Sequence, residues 1–386
     1  MRIVEVQTSQ HCRQFLDLPV IIYKDLSEWI RPLDKDIEEV FSPAKNKAFR
    51  QGAATRWLLL NGDGMPVGRI AAFINKKYRN KGDNGPVGGI GFFECINDFE
   101  SARLLFDTAA DWLKNKGMEA MDGPINFGER DKWWGLVTDG FQSPLYCMNY
   151  NPPYYKALME QYGFMPFFNQ VCFGMHPKEM LPKKLIERHQ VLENDPAFRA
   201  SQFRKDQLEK FAADFHIVYN KAWAGHAGNK EMSLEQCRKI FRSMKPVMDE
   251  KIIWFAYYNE EPIAIFINLP DLNQWFRYMN GKFGWFHKLL FLLIKATRPN
   301  KRCVGIVFGV TPEWQNKGVD SFLIVEASKI FRSQLSYEEY EMQWIGDFNP
   351  KMIAVAEKLT PIRTRTLTTY RYLFDREKPF QRHPVL

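Results

Sequence analysis

The six cysteines of this 386-residue chain include no Cys-x-x-Cys pair. Cys12, Cys95, Cys147, Cys172, Cys237 and Cys303 are dispersed, several inside apolar runs, which is the pattern of reduced core thiols and excludes a disulfide scaffold. The seven histidines stand at no metal-ligand spacing from cysteine or carboxylate, so no metal is expected. No charged leader with an apolar core opens the chain: Met1-Arg2-Ile3-Val4-Glu5-Val6 reads at once as a strand, export is not indicated, and a cytoplasmic protein is expected. No apolar run is long enough to cross a bilayer. No basic run is long enough to form a nucleic-acid arm, so DNA is not an expected partner.

What is present is ample core material, 45% hydrophobic and 15% aromatic residues, in a chain longer than one core usually supports. The 53 basic residues against 45 acidic leave a net charge of +8, which favours anionic partners such as nucleotides, tRNA or lipid headgroups without choosing among them. One segment, residues 285–296, is an apolar helix too short to span a bilayer, bracketed by Lys282 and by Arg298, Lys301 and Arg302. Two readings stay open for it: a core helix inserted between strands, or a peripheral helix against a membrane surface or an acyl chain.

An internal echo orders the rest. Ile70-Ala71-Ala72-Phe73-Ile74-Asn75 returns as Ile263-Ala264-Ile265-Phe266-Ile267-Asn268, half a chain later. Each copy reads as the second arm of a hairpin, and each is followed by strand, helix and strand: 89–95, 99–115 and 118–124 in the first half, 303–310, 319–333 and 340–348 in the second. Two similar α/β units in tandem follow. The Lys-, Glu- and Pro-rich stretch 177–199 lies between them.

The second-half strand ends in the polar turn Gln315-Asn316-Lys317-Gly318-Val319-Asp320 and restarts as a helix with Phe322, Leu323, Ala327, Ile330 and Phe331 at helical spacing. A helix start leaves main-chain N–H groups unpaired at the positive end of the helix dipole, so such a turn can hold a pyrophosphate, with Lys317 adding charge and Gly318 permitting close approach. The first-half counterpart has no glycine and carries Asp98 and Glu100 where a phosphate would sit, so a single cofactor site is expected, in the second half.

With Gln315 and Gly318 in place, this turn resembles the cofactor loop of the GNAT superfamily of acyl-CoA-dependent N-acyltransferases, departing from its pattern at Asp320. The resemblance extends over about residues 200–375. It implies an α/β fold of two tandem GNAT-like units, each a mixed, mostly antiparallel sheet flanked by helices: residues 1–178 without cofactor, a linker at 179–199, and 200–386 with the acyl-CoA site. Acetyl-CoA or a longer acyl-CoA would lay its pantetheine arm on the main chain of Phe308, Gly309 and Val310, and its pyrophosphate on Gln315, Asn316, Lys317, Gly318 and Val319.

Strand alternation over 340–348 would then put Glu341, Gln343, Asp347 and Asn349 on one polar face. Asp347 is the candidate base, or else a solvated or capping carboxylate. Asn349 is a candidate pantetheine contact, or a turn and helix-start residue before Pro350. Tyr370, in the strand-like run 363–374, is the candidate acid. The long glycine- and aromatic-bearing connection 123–140, with the segment after it, suggests an acceptor pocket of Arg130, Trp134, Asn149 and Tyr154, or else packing between the units; Trp223 joins from the second unit, beside Asn220 and His226. The acceptor is expected to be a small-molecule or peptide amine. Two other readings stay open: an aminoacyl-tRNA-dependent transferase of the Fem type, also a tandem GNAT-like protein, and a non-catalytic binding or membrane-associated protein with this fold.

Overall fold

The structure is a computed structural model and describes residues 1–223 and 231–386. The first half runs β1 (Arg2–Glu5), α1 (Ser9–Ile22), α2 (Asp34–Val40), β2 (Gly52–Leu60), β3 (Pro66–Asn75), β4 (Val87–Cys95), α3 (Phe99–Asn115), β5 (Ala120–Gly123), β6 (Leu136–Asp139), α4 (Tyr155–Tyr162) and β7 (Met165–Met175). α5 (Lys183–Leu192) follows. The second half runs β8 (Phe198–Gln202), α6 (Leu208–Trp223), α7 (Leu234–Met244), β9 (Ile253–Tyr258), β10 (Glu261–Pro270), α8 (Asn273–Phe276) and α9 (Trp285–Thr297). It closes with β11 (Arg302–Val310), α10 (Val319–Gln334), β12 (Glu339–Met342), β13 (Ile345–Gly346), α11 (Pro350–Leu359) and β14 (Arg363–Leu373).

The described strands make one continuous sheet in the order β1-β2-β3-β4-β5-β14-β7-β12-β11-β10-β9-β8, with β6 on β14 and β13 on β7. Most neighbours are antiparallel; β4 with β5 and β11 with β12 are parallel. Alternation along the first-half hairpin sorts the core into two faces. Trp57, Leu59, Ile70 and Ala72 meet α3 and α4, whereas Leu58, Leu60, Ala71 and Phe73 meet α1 and α2. The second half wraps α6, α7 and α10 around β9 and β10. The sequence echo falls on β3 and β10, which begin at Pro66 and Glu261. The strands are therefore two residues out of step with the echo, a shift that keeps every side chain on its face.

Two features differ from the sequence reading. β14, from the second half of the chain, lies between β5 and β7 of the first, paired with β7 from Arg363 to Arg371 and with β5 from Tyr370 to Leu373. β7 in turn pairs with β12, so the sheet has no break at residues 178–200. The strand expected over 340–348 is interrupted: it leaves β11 after Met342 and resumes as β13 on β7, so its alternation is lost. The stretch between the halves is not loose, since α5 packs on α10 and buried His189 hydrogen-bonds Glu326 at 2.7 Å.

Candidate functional site

The break after β12 opens a cleft. β11 and β12 run in register from Arg302 with Glu339 to Gly305 with Met342, and the Gln343 N–H gives the last link, 2.9 Å to the Gly305 carbonyl. From there the chain follows β7, through Ile345 opposite Val171 and the Asp347 N–H 2.8 Å from the Asn169 carbonyl. β11 instead stays with β10 as far as Val310 opposite Ala264. Among the described residues, 306–310 thus have a strand on one edge only. In an antiparallel ladder alternate residues turn both main-chain groups away from the neighbour; the Thr311 N–H on the Ile263 carbonyl sets the phase, so Gly309 faces Ile265 of β10 while the main chain of Phe308 and Val310 offers hydrogen-bonding groups to the gap.

Beyond β11 the turn is built for an uncapped helix start. The Thr311 N–H closes on the Ile263 carbonyl at 2.9 Å, and Gln315 Nε2 donates to the Val310 carbonyl at 3.1 Å. Asn316 and Gly318 both take left-handed backbone, φ 62° and 87°. Gly318 is the residue before α10, so no side chain caps the helix and no Cβ stands over its first N–H groups. The nearest atom to an added Cβ there is the Arg188 carbonyl oxygen, 3.6 Å away, because α5 ends against this turn. Gln315, Asn316 and Lys317 are exposed, with Lys317 Nζ 5.0 Å from the Trp314 ring centre. Val319 is buried, Asp320 lies in the first turn of α10, and the buried Ser321 hydroxyl has no partner.

The first unit lacks both features. Its helix start is capped by Asp98, whose Oδ2 accepts the Ser101 N–H at 2.8 Å and the Ser101 hydroxyl at 2.5 Å. The gap beyond the short β4–β5 pairing is closed where the Ile125 N–H reaches the Ile90 carbonyl at 2.7 Å. The second unit has, at these two places, an unpaired strand edge and a helix start without a side-chain cap, and the first unit has neither.

The residues expected for catalysis are not gathered into one constellation. Asp347 stands at the end of the β13 line, half-buried, in an ion pair with Arg382 at 2.7 Å. Asn349 caps α11, its Oδ1 accepting the Met352 N–H at 3.2 Å. Glu341 is buried against Arg365 and so is withdrawn from the polar face expected of it. Tyr370 is on β14, 1% exposed in the core beside α3 and α4, its hydroxyl 3.1 Å from Glu160, and burial raises its pKa.

Of the residues expected around an acceptor, Arg130 and Trp134 come together in a cavity of about 260 Å³ with Gln51, Lys77 and Asn126. The Arg130 guanidinium lies 5.5 Å from the ring centres of both Tyr78 and Trp134 and donates to Asn80 Oδ1 at 2.9 Å. Two buried polar atoms in the walls, Trp134 Nε1 and Asn126 Oδ1, have no partner. Asn149 and Tyr154 are elsewhere and bonded to main chain, to the Gly135 carbonyl at 2.6 Å and the Cys95 carbonyl at 2.7 Å. The Trp223 side chain and His226 lie outside the described residues; Asn220 exchanges two hydrogen bonds with the Met232 main chain.

Sequence reasoning missed the C-terminal tail. His383 N–H bonds the Phe167 carbonyl at 3.0 Å, continuing the line of β13 along β7, and its ring sits 4.3 Å from that of Phe348, next to Asp347. Burial lowers the His383 pKa, helped by the Arg130 charge, and its Nδ1 meets the Pro384 carbonyl at 2.8 Å. The tail thus joins the Asp347 end of the cleft to the Arg130 region. No periodicity marks residues 375–386, so nothing in the sequence signalled this. Among the described residues no group of three His, Cys, Asp or Glu side chains is arranged to hold a metal.

No family model matches the chain. It is 24% identical over 378 residues to a bacterial ceramide synthase of Caulobacter vibrioides, covering 96% of this chain and 97% of that protein. It is also 24% identical over 357 residues to protein YghO of Escherichia coli, covering 90% and 89%. Among solved structures it superposes with a TM-score of 0.53 on a tandem GNAT protein from the clavulanic acid biosynthesis pathway, at 12% identity and covering 98% and 99% of the two chains. A second superposition, TM-score 0.51 at 10% identity, is with a fungal multi-domain β-N-acetylglucosaminidase that has a GCN5-related glucosamine N-acetyltransferase region; 96% of this chain spans 38% of that one. The chain has the tandem GNAT fold.

Proposed function

We propose that this tandem GNAT-fold chain is an acyl-CoA-dependent N-acyltransferase working in the cleft of its second unit, and that its acceptor is the amino group of a long-chain lipid amine. The observation that carries the first part is the open edge of β11 running into an uncapped glycine helix start. A strand edge takes the amide groups of an extended arm as it would a neighbouring strand, and helix N–H groups take phosphate. Phe308, Gly309 and Val310 would hold the pantetheine, and Gln315 to Val319 the pyrophosphate. When bound, acyl-CoA supplies an acyl group activated as a thioester.

Amide formation needs the amine free of its proton. Asp347, at the far end of the cleft line, is the proposed acceptor of that proton, directly or through water, with Arg382 holding it in place until the amine arrives. Arg130 and Trp134 are proposed to bind the polar end of the acceptor, where two unpartnered polar atoms await hydrogen bonds. The lipid nature of the acceptor is favoured by the full-length similarity to a protein named ceramide synthase, since a ceramide is the amide of a fatty acid and a long-chain amino alcohol. The six described free thiols support a reducing, cytoplasmic setting.

The test is to incubate the protein with acyl-CoAs of graded length and either a long-chain amino alcohol or a short amine, following thiol release and amide by mass spectrometry. The reading expects amide only with the long-chain acceptor. Thiol release with no amide from any amine would contradict it, and an aminoacyl-tRNA donor would then be tried.

A further inference from the structure

We infer that α9 is a membrane-docking helix that lays its apolar face on an anionic bilayer surface. This stands apart from the acyl-transfer reading, because it rests on a surface outside the cleft. Only Phe291 of the helix is buried, edge-on to Trp275 and Phe283 and tilted against Phe276, with ring centres 5.6 to 5.9 Å away. Trp285, Phe286, Leu289, Leu292 and Leu293 are all between 55% and 77% exposed. At 100° per residue these five fall within an arc of about 120°, so they form one continuous apolar strip. Five large apolar side chains in a strip are far beyond the scattered exposed leucines of an ordinary surface.

Charge selects the occupant. From Leu272 to Pro312 the sequence contains no aspartate or glutamate and seven basic residues. Arg277, Lys282, Lys288 and Arg298 are exposed around the strip. Basic side chains with an aromatic residue at the rim of an apolar face are what an interfacial helix needs to meet phosphate headgroups while its leucines enter the acyl boundary. A second copy of this chain would set the same cations against one another, which disfavours self-pairing through this face. At 13 residues the helix is about 20 Å long, so it lies on a bilayer and does not cross one. No helix of the described residues is long and apolar enough to cross a membrane.

The experiment is flotation of the full chain with phosphatidylcholine vesicles, with and without phosphatidylglycerol, at low and high salt. Wild type is expected to float with the anionic vesicles, less so as salt rises. Leu289→Glu and Leu293→Glu are each expected to cut partitioning at least about tenfold, and Lys288→Glu and Arg298→Glu about fivefold on anionic vesicles alone. Because these side chains are exposed, melting temperatures should not change; Trp285→Ala, a milder truncation, should also weaken binding. Failure of folded wild type to float with anionic vesicles would overturn the inference, as would wild-type partitioning by Leu289→Glu. So would a concentration-dependent dimer that Leu289→Glu dissolves while vesicles go unbound. Acyl-CoA binding is unaffected by any of these variants if both readings hold, so each can fail separately.

Discussion

Arg365 lays its guanidinium in a fork on Glu341, Nε to Oε1 at 2.6 Å and one terminal nitrogen to Oε2 at 3.0 Å, with both side chains buried. The same guanidinium donates to the carbonyls of Gln142 and Ser143. Arg365 is on β14 and Glu341 on β12, so the pair ties the strand inserted in the first unit to the parallel strand of the second. A second fork, Arg371 on Asp122 at 2.6 and 2.8 Å, fixes β14 to β5.

Breaking such a buried pair leaves a charge without its partner. Glu341→Ala should therefore destabilise the protein by about 3–5 kcal/mol, read as a lowered midpoint in urea with a single transition. A loss below about 1 kcal/mol would mean that the pair behaves as a surface bridge.

The crossed strands make the halves interdependent. Residues 1–178 expressed alone lack β12, β13 and β14, which leaves both edges of β7 and one edge of β5 unpaired, and should be insoluble or unfolded by circular dichroism. Co-expression with residues 179–386 should rescue a folded complex. A well-folded 1–178 fragment with sharp amide resonances would show that β14 is dispensable.

Asp347→Asn keeps the size of the side chain and removes its basicity. Turnover should fall about a hundredfold with acyl-CoA affinity unchanged. If turnover instead falls only in step with stability, Asp347 is a partner for Arg382 and no more.

His383 provides a pH signature. Burial lowers its pKa in the folded state, so below about pH 6.5 the unfolded chain binds the proton more readily. Stability from this group is present above that pH and is lost as the pH falls toward the depressed folded value. His383→Gln should flatten the acid-side decline of the urea midpoint; an unchanged slope would assign the decline to other groups.

Much of this was legible because it is local. The run from Cys303 to Phe331 declares a strand, a turn and a helix through its own periodicity, and Gly318 marks the left-handed position before α10. Asp98 likewise announces the capped helix start of the first unit. What the sequence hid is long-range. Nothing in residues 363–373 says that their neighbours are β5 and β7, since a run such as Thr364-Arg365-Thr366-Leu367 pairs as readily with any buried edge. The change of partner after Met342 was invisible for the same reason, and with it went the expected alternation of Glu341, Gln343 and Asp347. In α9 the apolar residues run nearly all round the helix, so periodicity alone cannot separate a core helix from one that leaves Leu289 and Leu293 in the open. Asn349 suits either a ligand contact or a helix cap by its sequence, and its bond to the Met352 N–H is the capping one.

The most direct test of the second-unit cleft is calorimetric titration of the full chain with acetyl-CoA and longer acyl-CoAs, beside Lys317→Glu and Gly318→Trp. Micromolar binding to wild type, weakened at least about tenfold by each substitution, is the predicted result, with an unchanged melting temperature for exposed Lys317→Glu and a lowered one for Gly318→Trp, whose left-handed, buried backbone resists a side chain. Folded wild type that binds no acyl-CoA, or binding that both variants retain in full, would contradict it.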